Sequence, residues 1–77
     1  MKDKILNIIT ETIHVFEGNL DINKPLDKQS DIDSLDCAEI ELEIEDQFDL
    51  DFSFGEAINP DSTPQEVIDN VQKLLDE

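Results

Sequence analysis

The sequence predicts an all-α fold: a small bundle of four helices, three long and one short, with a long loop between the first two long ones. Three observations lead there. Three segments repeat their apolar residues at about 100° per residue. Two of these begin with helix-start signatures. The one stretch with strand-like alternation, at Leu50, Phe52 and Phe54, has no second strand to pair with. Seventy-seven residues with 38% apolar content suffice for one small core, so residues 1–77 are expected to form a single domain.

The first helix is expected over about residues 3–17. Ile5, Ile9, Thr12, Ile13 and Phe16 gather on one side, Leu6 and Ile8 widen the stripe, and Gly18 follows as a left-handed cap. The next connection, "GNLDINKPLDKQSDID", has no period. Leu20, Ile22, Leu26 and Ile32 stand in it as apolar pegs expected to pin it across the bundle, since loops this long are pinned or functional. The second long helix starts at Ser34. Asp33 is its N-cap, and Asp36 completes a variant of the capping box. Both acids complement the positive end of the helix dipole. After Phe48, a turn and a short helix around Phe54–Ile58 are expected, ended by Asn59-Pro60. The last helix, from Pro64 to about Leu75, has Thr63 as cap, proline at its first position and Glu66 three residues after the cap. Val67, Ile68, Val71, Leu74 and Leu75 then lie within about 120° of arc.

The helix that begins at Ser34 has two apolar faces. With Leu35 at zero on a wheel, Ala38 and Leu42 fall within about 60° of it, while Cys37, Ile40, Ile44 and Phe48 cluster between about 140° and 220°. The second group matches the core stripes of the other helices. A bundle this small does not easily bury both sides of one helix. The Leu35/Ala38/Leu42 stripe is therefore expected to stay at least partly exposed, bordered by Glu39, Glu45 and Asp46. An apolar strip with a charged rim is built like a partner-binding surface. The bland alternative is that the loop folds over it.

The charge narrows the partners. There are 21 acidic residues against 5 basic ones, a formal net charge of −16, and no basic residue between Lys28 and Lys73. Phosphate binding needs Lys/Arg neutralisation, so nucleic acid is excluded as a partner, whereas a one-sign field this large steers basic surfaces. No apolar run spans a membrane, and the N-terminus lacks a signal-peptide core. The lone Cys37 rules out an internal disulfide. A cytoplasmic, self-repelling monomer is expected.

Intrinsic catalysis is not expected. His14, on the polar side of the first helix, is the one histidine, and Ser34 has no base beside it. Cys37, near the core face, reads as packing. No set of His/Cys metal ligands is visible. A calcium loop starting at Asp49 has Asp51 and Ser53 at ligand spacing, but Gly55 comes one place late and Pro60 stands where a glutamate is needed. Weak, nonspecific divalent binding follows from charge density alone. An unmodified acidic interaction module remains as an alternative, which leaves the serine at the helix start without a role.

Asp33-Ser34-Leu35-Asp36 resembles the "DSL" site of acyl carrier proteins and related phosphopantetheine-dependent carrier domains. "DSLDCAEIELEIEDQFDLDF" looks like that family's second helix and the turn after it, and the length, acidity, long first loop and capped last helix agree. The resemblance implies a right-handed bundle of three long helices and one short one. It implies that Ser34 receives 4'-phosphopantetheine from coenzyme A, moved by a separate phosphopantetheinyl transferase using magnesium. The arm's thiol would carry acyl groups as thioesters among basic-surfaced synthase or acyl-transferring enzymes of fatty-acid, polyketide or related biosynthesis. Asp33, Leu35, Asp36, Ala38, Glu39, Leu42, Glu45 and Asp46 would serve partner recognition.

The chain departs from the family's pattern in three places. Ser30 and Asp31 stand where leucine and glycine are common, and Ala38 where valine or isoleucine is. Glu41, at about 240° on the wheel, replaces an apolar residue usual in fatty-acid carriers. A glutamate there is costly to bury, so sequestration of a long acyl chain in the core is not expected.

Overall fold

A computed structural model of the chain describes residues 2–52 and 58–76. Four α-helices follow in order: α1 (Lys2–Ile13), α2 (Leu26–Gln29), α3 (Ser34–Phe48) and α4 (Pro64–Leu75), with a 3₁₀ turn at Glu17–Asn19. Among the described residues there is no strand. The architecture is the expected small helical bundle of three long helices and one short. The short helix, however, sits inside the loop that sequence pattern left without a helix. The one expected around Phe54–Ile58 falls on residues 53–57, outside the described residues, and Ile58 itself is not helical.

The core forms where α1 packs against α3 and α4. Ile5 and Ile9 of α1, Ile40 and Ile44 of α3, and Val67 and Val71 of α4 are fully buried. These are the residues whose helical spacing puts them on one face. Burial of each such side chain contributes roughly 1.5–3 kcal/mol relative to exposure. α4 is capped as its sequence requires: the Thr63 hydroxyl accepts the Glu66 N–H at 3.1 Å. The Glu66 carboxylate accepts the Thr63 N–H at 3.2 Å. Its apolar face ends one residue early, for Leu74 packs on the core while Leu75 is exposed.

α1 stops four residues before the expected end. His14, not Gly18, takes the left-handed conformation, with φ 59°, and Gly18 has no positive φ. The Val15 N–H donates to the Thr10 carbonyl at 3.1 Å, the six-to-one bond that closes a helix C-terminus. Two tertiary contacts explain why periodicity lost here: Val15 packs against the core, and the Ser30 hydroxyl donates to the Ile13 carbonyl at 3.2 Å. Phe16, expected on the buried stripe, is instead exposed.

The long connection is pinned as expected, though largely by backbone bonds. Leu26 is fully buried, and Leu20 and Ile32 pack against the core. Ile22 contributes its carbonyl, which accepts the Gln65 N–H at 3.0 Å, while the N–H groups of Leu26 and Asp27 donate to the carbonyls of Ser62 and Pro60, both at 2.9 Å. Gln29 ties the loop to itself: its side-chain amide donates to the carbonyls of Asp21 and Lys24 and accepts the Asp21 N–H. These bonds deliver the chain to the start of α3 on a fixed path.

Candidate functional site at the start of α3

Asp33 enters the helix with an extended backbone, φ −131° and ψ −172°. Its Oδ1 accepts the N–H groups of Leu35 at 3.0 Å and Asp36 at 3.2 Å, and Asp36 Oδ2 accepts the Asp33 N–H at 3.1 Å. The reciprocal cap read from the sequence is therefore formed. Ser34 occupies the first helical position and is exposed. Neither its hydroxyl nor its N–H has a hydrogen-bond partner among the described residues.

That geometry suits a phosphate ester on the Ser34 oxygen. A free N–H at a helix N-terminus favours an anion beside it. The carboxylates of Asp33 and Asp36 oppose it, but one oxygen of each is already committed to the cap. Among the described residues no base is hydrogen-bonded to the Ser34 hydroxyl: His14 lies past the end of α1, in a groove with Glu39, Leu42 and Glu43.

The two faces of α3 separate as expected. Cys37, Ile40 and Ile44 are buried, and Phe48 packs half-buried against the core with the Lys4 ammonium 6.0 Å from its ring centre. On the other side Leu35 is 73% exposed and Leu42 66%, with Ala38, Glu39 and Asp46 exposed around them. The loop does not cover this stripe.

Glu45 behaves differently from its expected place on the rim. It is half-buried, and its Oε2 accepts the Phe52 N–H at 3.0 Å. Glu41, one turn earlier, accepts the Ile58 N–H at 2.7 Å through Oε1. The two carboxylates thus hold the α3–α4 connection at two points, Phe52 and Ile58. The cost expected of burying Glu41 is offset by a charge-assisted hydrogen bond. The sequence signal for this pair is only partial: glutamates four apart lie on one side of a helix, but residue type does not say which N–H groups they meet.

Cys37 is inert where it sits. Burial first, and then the nearby carboxylates of Glu41, Asp36, Asp33 and Asp27, together push its thiol from the ordinary 9.0 up to about 11. The thiol stays protonated near neutral pH and packs as a small apolar group.

The family model described as "Phosphopantetheine attachment site" matches residues 3–71, nearly the whole chain and all of α3. The chain belongs to that family. A comparison with curated proteins finds no match. Membership of the phosphopantetheine-attachment family carries a covalently bound 4'-phosphopantetheine with it. It also implies interaction with a phosphopantetheinyl transferase and with synthases or acyltransferases in general. Carrier domains of this family are typically non-catalytic cosubstrates. No helix among the described residues is long and apolar enough to cross a membrane.

Proposed function

We propose that Ser34 is the attachment residue and that the chain, acting as one cytoplasmic and monomeric carrier domain, shuttles acyl groups between enzymes of fatty-acid, polyketide or related biosynthesis. One observation carries this reading: an exposed serine stands at the first position of a capped helix, with hydroxyl and N–H unpartnered among the described residues, inside the matched family span. The bound group supplies a terminal thiol that holds acyl groups as thioesters. The chain's own part is to present the oxygen, hold the first turn of α3 rigid through the Asp33–Asp36 cap, and offer a docking stripe. In the transfer the Ser34 oxygen bonds to the phosphopantetheine phosphorus of coenzyme A as the pyrophosphate linkage breaks, adenosine 3',5'-bisphosphate leaves, and the hydroxyl proton passes to a base on the transferase.

Leu35, Ala38 and Leu42 serve as apolar anchors, and Glu39 and Asp46 as the steering rim for basic partners. Asp33 and Asp36 combine capping with recognition through their uncommitted oxygens. Glu45 contributes to that rim only at its edge, since its carboxylate holds Phe52.

The cargo stays outside the bundle. The Glu41–Ile58 and Glu45–Phe52 hydrogen bonds fasten α3 to its following connection, and opening that seam for a long chain would strand two carboxylates. A long acyl load is therefore expected to give neither marked thermal stabilisation nor core NMR shifts; finding both would reject this point.

The attachment is tested by incubating the protein with coenzyme A, magnesium and a broad-specificity phosphopantetheinyl transferase, then measuring intact mass. The expected result is a gain of one phosphopantetheine group, absent from Ser34→Ala. No gain with several transferases would favour an unmodified acidic interaction module.

A further inference from the structure

The end of α1 carries features that attachment at Ser34 does not use. Phe16 is 83% exposed, the most exposed of the large apolar side chains described. It follows the turn where His14 holds φ 59°, a conformation that glycine adopts freely and histidine does not. Two surface depressions meet at this turn and share Glu11 and His14. One runs between α1 and α3 over Ile8 and Leu42, with Glu11, Glu39 and Glu43 along it. The other lies beside Val15 and Phe16. Exposed apolar side chains thus flank a surface whose fixed charges are all carboxylates.

We infer that this α1–α3 surface docks a cationic amphipathic helix from a partner protein, with Phe16 and Leu42 as apolar anchors and Glu11, Glu39 and Glu43 facing lysine or arginine. Charge decides the occupant. At −16, a second copy of the chain or an anionic lipid surface is repelled. An uncharged apolar helix would bury the three glutamates unpaired, which is costly. A helix with apolar residues on one side and basic residues flanking them meets both demands. Leu42 lies eight residues beyond Ser34, about 12 Å along the helix axis. The surface therefore extends the α3 stripe away from the serine and onto a second helix.

The test titrates the full-length, isotope-labelled protein with a synthetic peptide of leucines and lysines at helical amphipathic spacing, read by amide NMR shifts. The shifts are expected to cluster at 11–16 and 39–43 and to weaken with added salt. Phe16→Ala and Leu42→Ala should each reduce affinity about tenfold, and Glu11→Gln and Glu43→Gln severalfold. Leu75→Ala, an exposed apolar control on α4, should change nothing. Ser34→Ala should also bind normally, so the outcome does not depend on the attachment reading. Equal binding of a leucine–glutamate peptide, shifts spread over the whole chain or confined to the Leu35 end, or unchanged affinity in both Phe16→Ala and Glu11→Gln would overturn the inference. So would concentration-dependent shifts at Phe16 without peptide, which would assign the surface to a second copy.

Discussion

The two sides of α3 are made of similar residues and have opposite fates. Ile40 and Ile44 are fully buried, whereas Leu35 and Leu42, on the same helix, are 73% and 66% exposed. The difference lies in what surrounds them. α1 and α4 supply one side with isoleucine and valine faces; nothing in the described chain turns an apolar face to the other. Hydrophobicity alone therefore did not decide burial; the number of helices available to pack did. One side of α3 stabilises the fold, and the other is free to be used.

The largest effect should come from cutting into the buried side. Ile44→Ala is expected to cost about 3 kcal/mol through lost burial and the cavity left behind, a large share of a small domain's stability; urea denaturation measures it. A cost below about 1 kcal/mol would show the core face to be loosely packed. The buried side also carries an alkaline weakness. The Cys37 thiol ionises near 11 in the folded chain and near 9.0 when unfolded. The unfolded state therefore loses its proton first as pH rises. The stability this group contributes is complete below about pH 9 and is lost as pH climbs towards 11, by roughly 2 kcal/mol. Cys37→Ala should have a shallower decline over that window in melts taken at stepped pH.

Smaller effects belong to the helix ends. Asp33→Ala removes the acceptor for two N–H groups and should cost about 1 kcal/mol, seen as a lower urea midpoint. His14→Gly relieves the left-handed strain and should raise stability by about 1 kcal/mol; a decrease would mean the imidazole makes a compensating contact. Leu42→Ala, on the free side, should lie within about 0.5 kcal/mol of wild type while weakening partner binding. That pairing of small stability loss with large binding loss is what separates the two faces.

Much of this was legible in the sequence because local signals agreed with each other. The caps at Asp33–Asp36 and Thr63–Glu66, the core faces of α3 and α4, and the exposed serine all follow from residue type at helical spacing. The end of α1 was not legible. Phe16 continues the apolar period, and Gly18 looks like a stop; only the tie from Ser30 to the Ile13 carbonyl and the packing of Val15 end the helix at Ile13. The bond of Glu45 to Phe52 was hidden for a related reason: a wheel shows which side a carboxylate faces but not that the Phe52 N–H will reach it. The one-turn α2 depends on Gln29 bonds to Asp21 and Lys24, which leave no apolar period to detect.

We propose that α3 carries its cofactor and partners on one side and the fold on the other. The most direct test compares amide NMR spectra of the protein before and after treatment with transferase and coenzyme A. Changes are expected to gather at Asp33–Asp36 and to be absent in Ser34→Ala, with Ile40, Ile44, Val67 and Val71 unmoved. Modification that survives Ser34→Ala, or shifts running through those core positions, would contradict it.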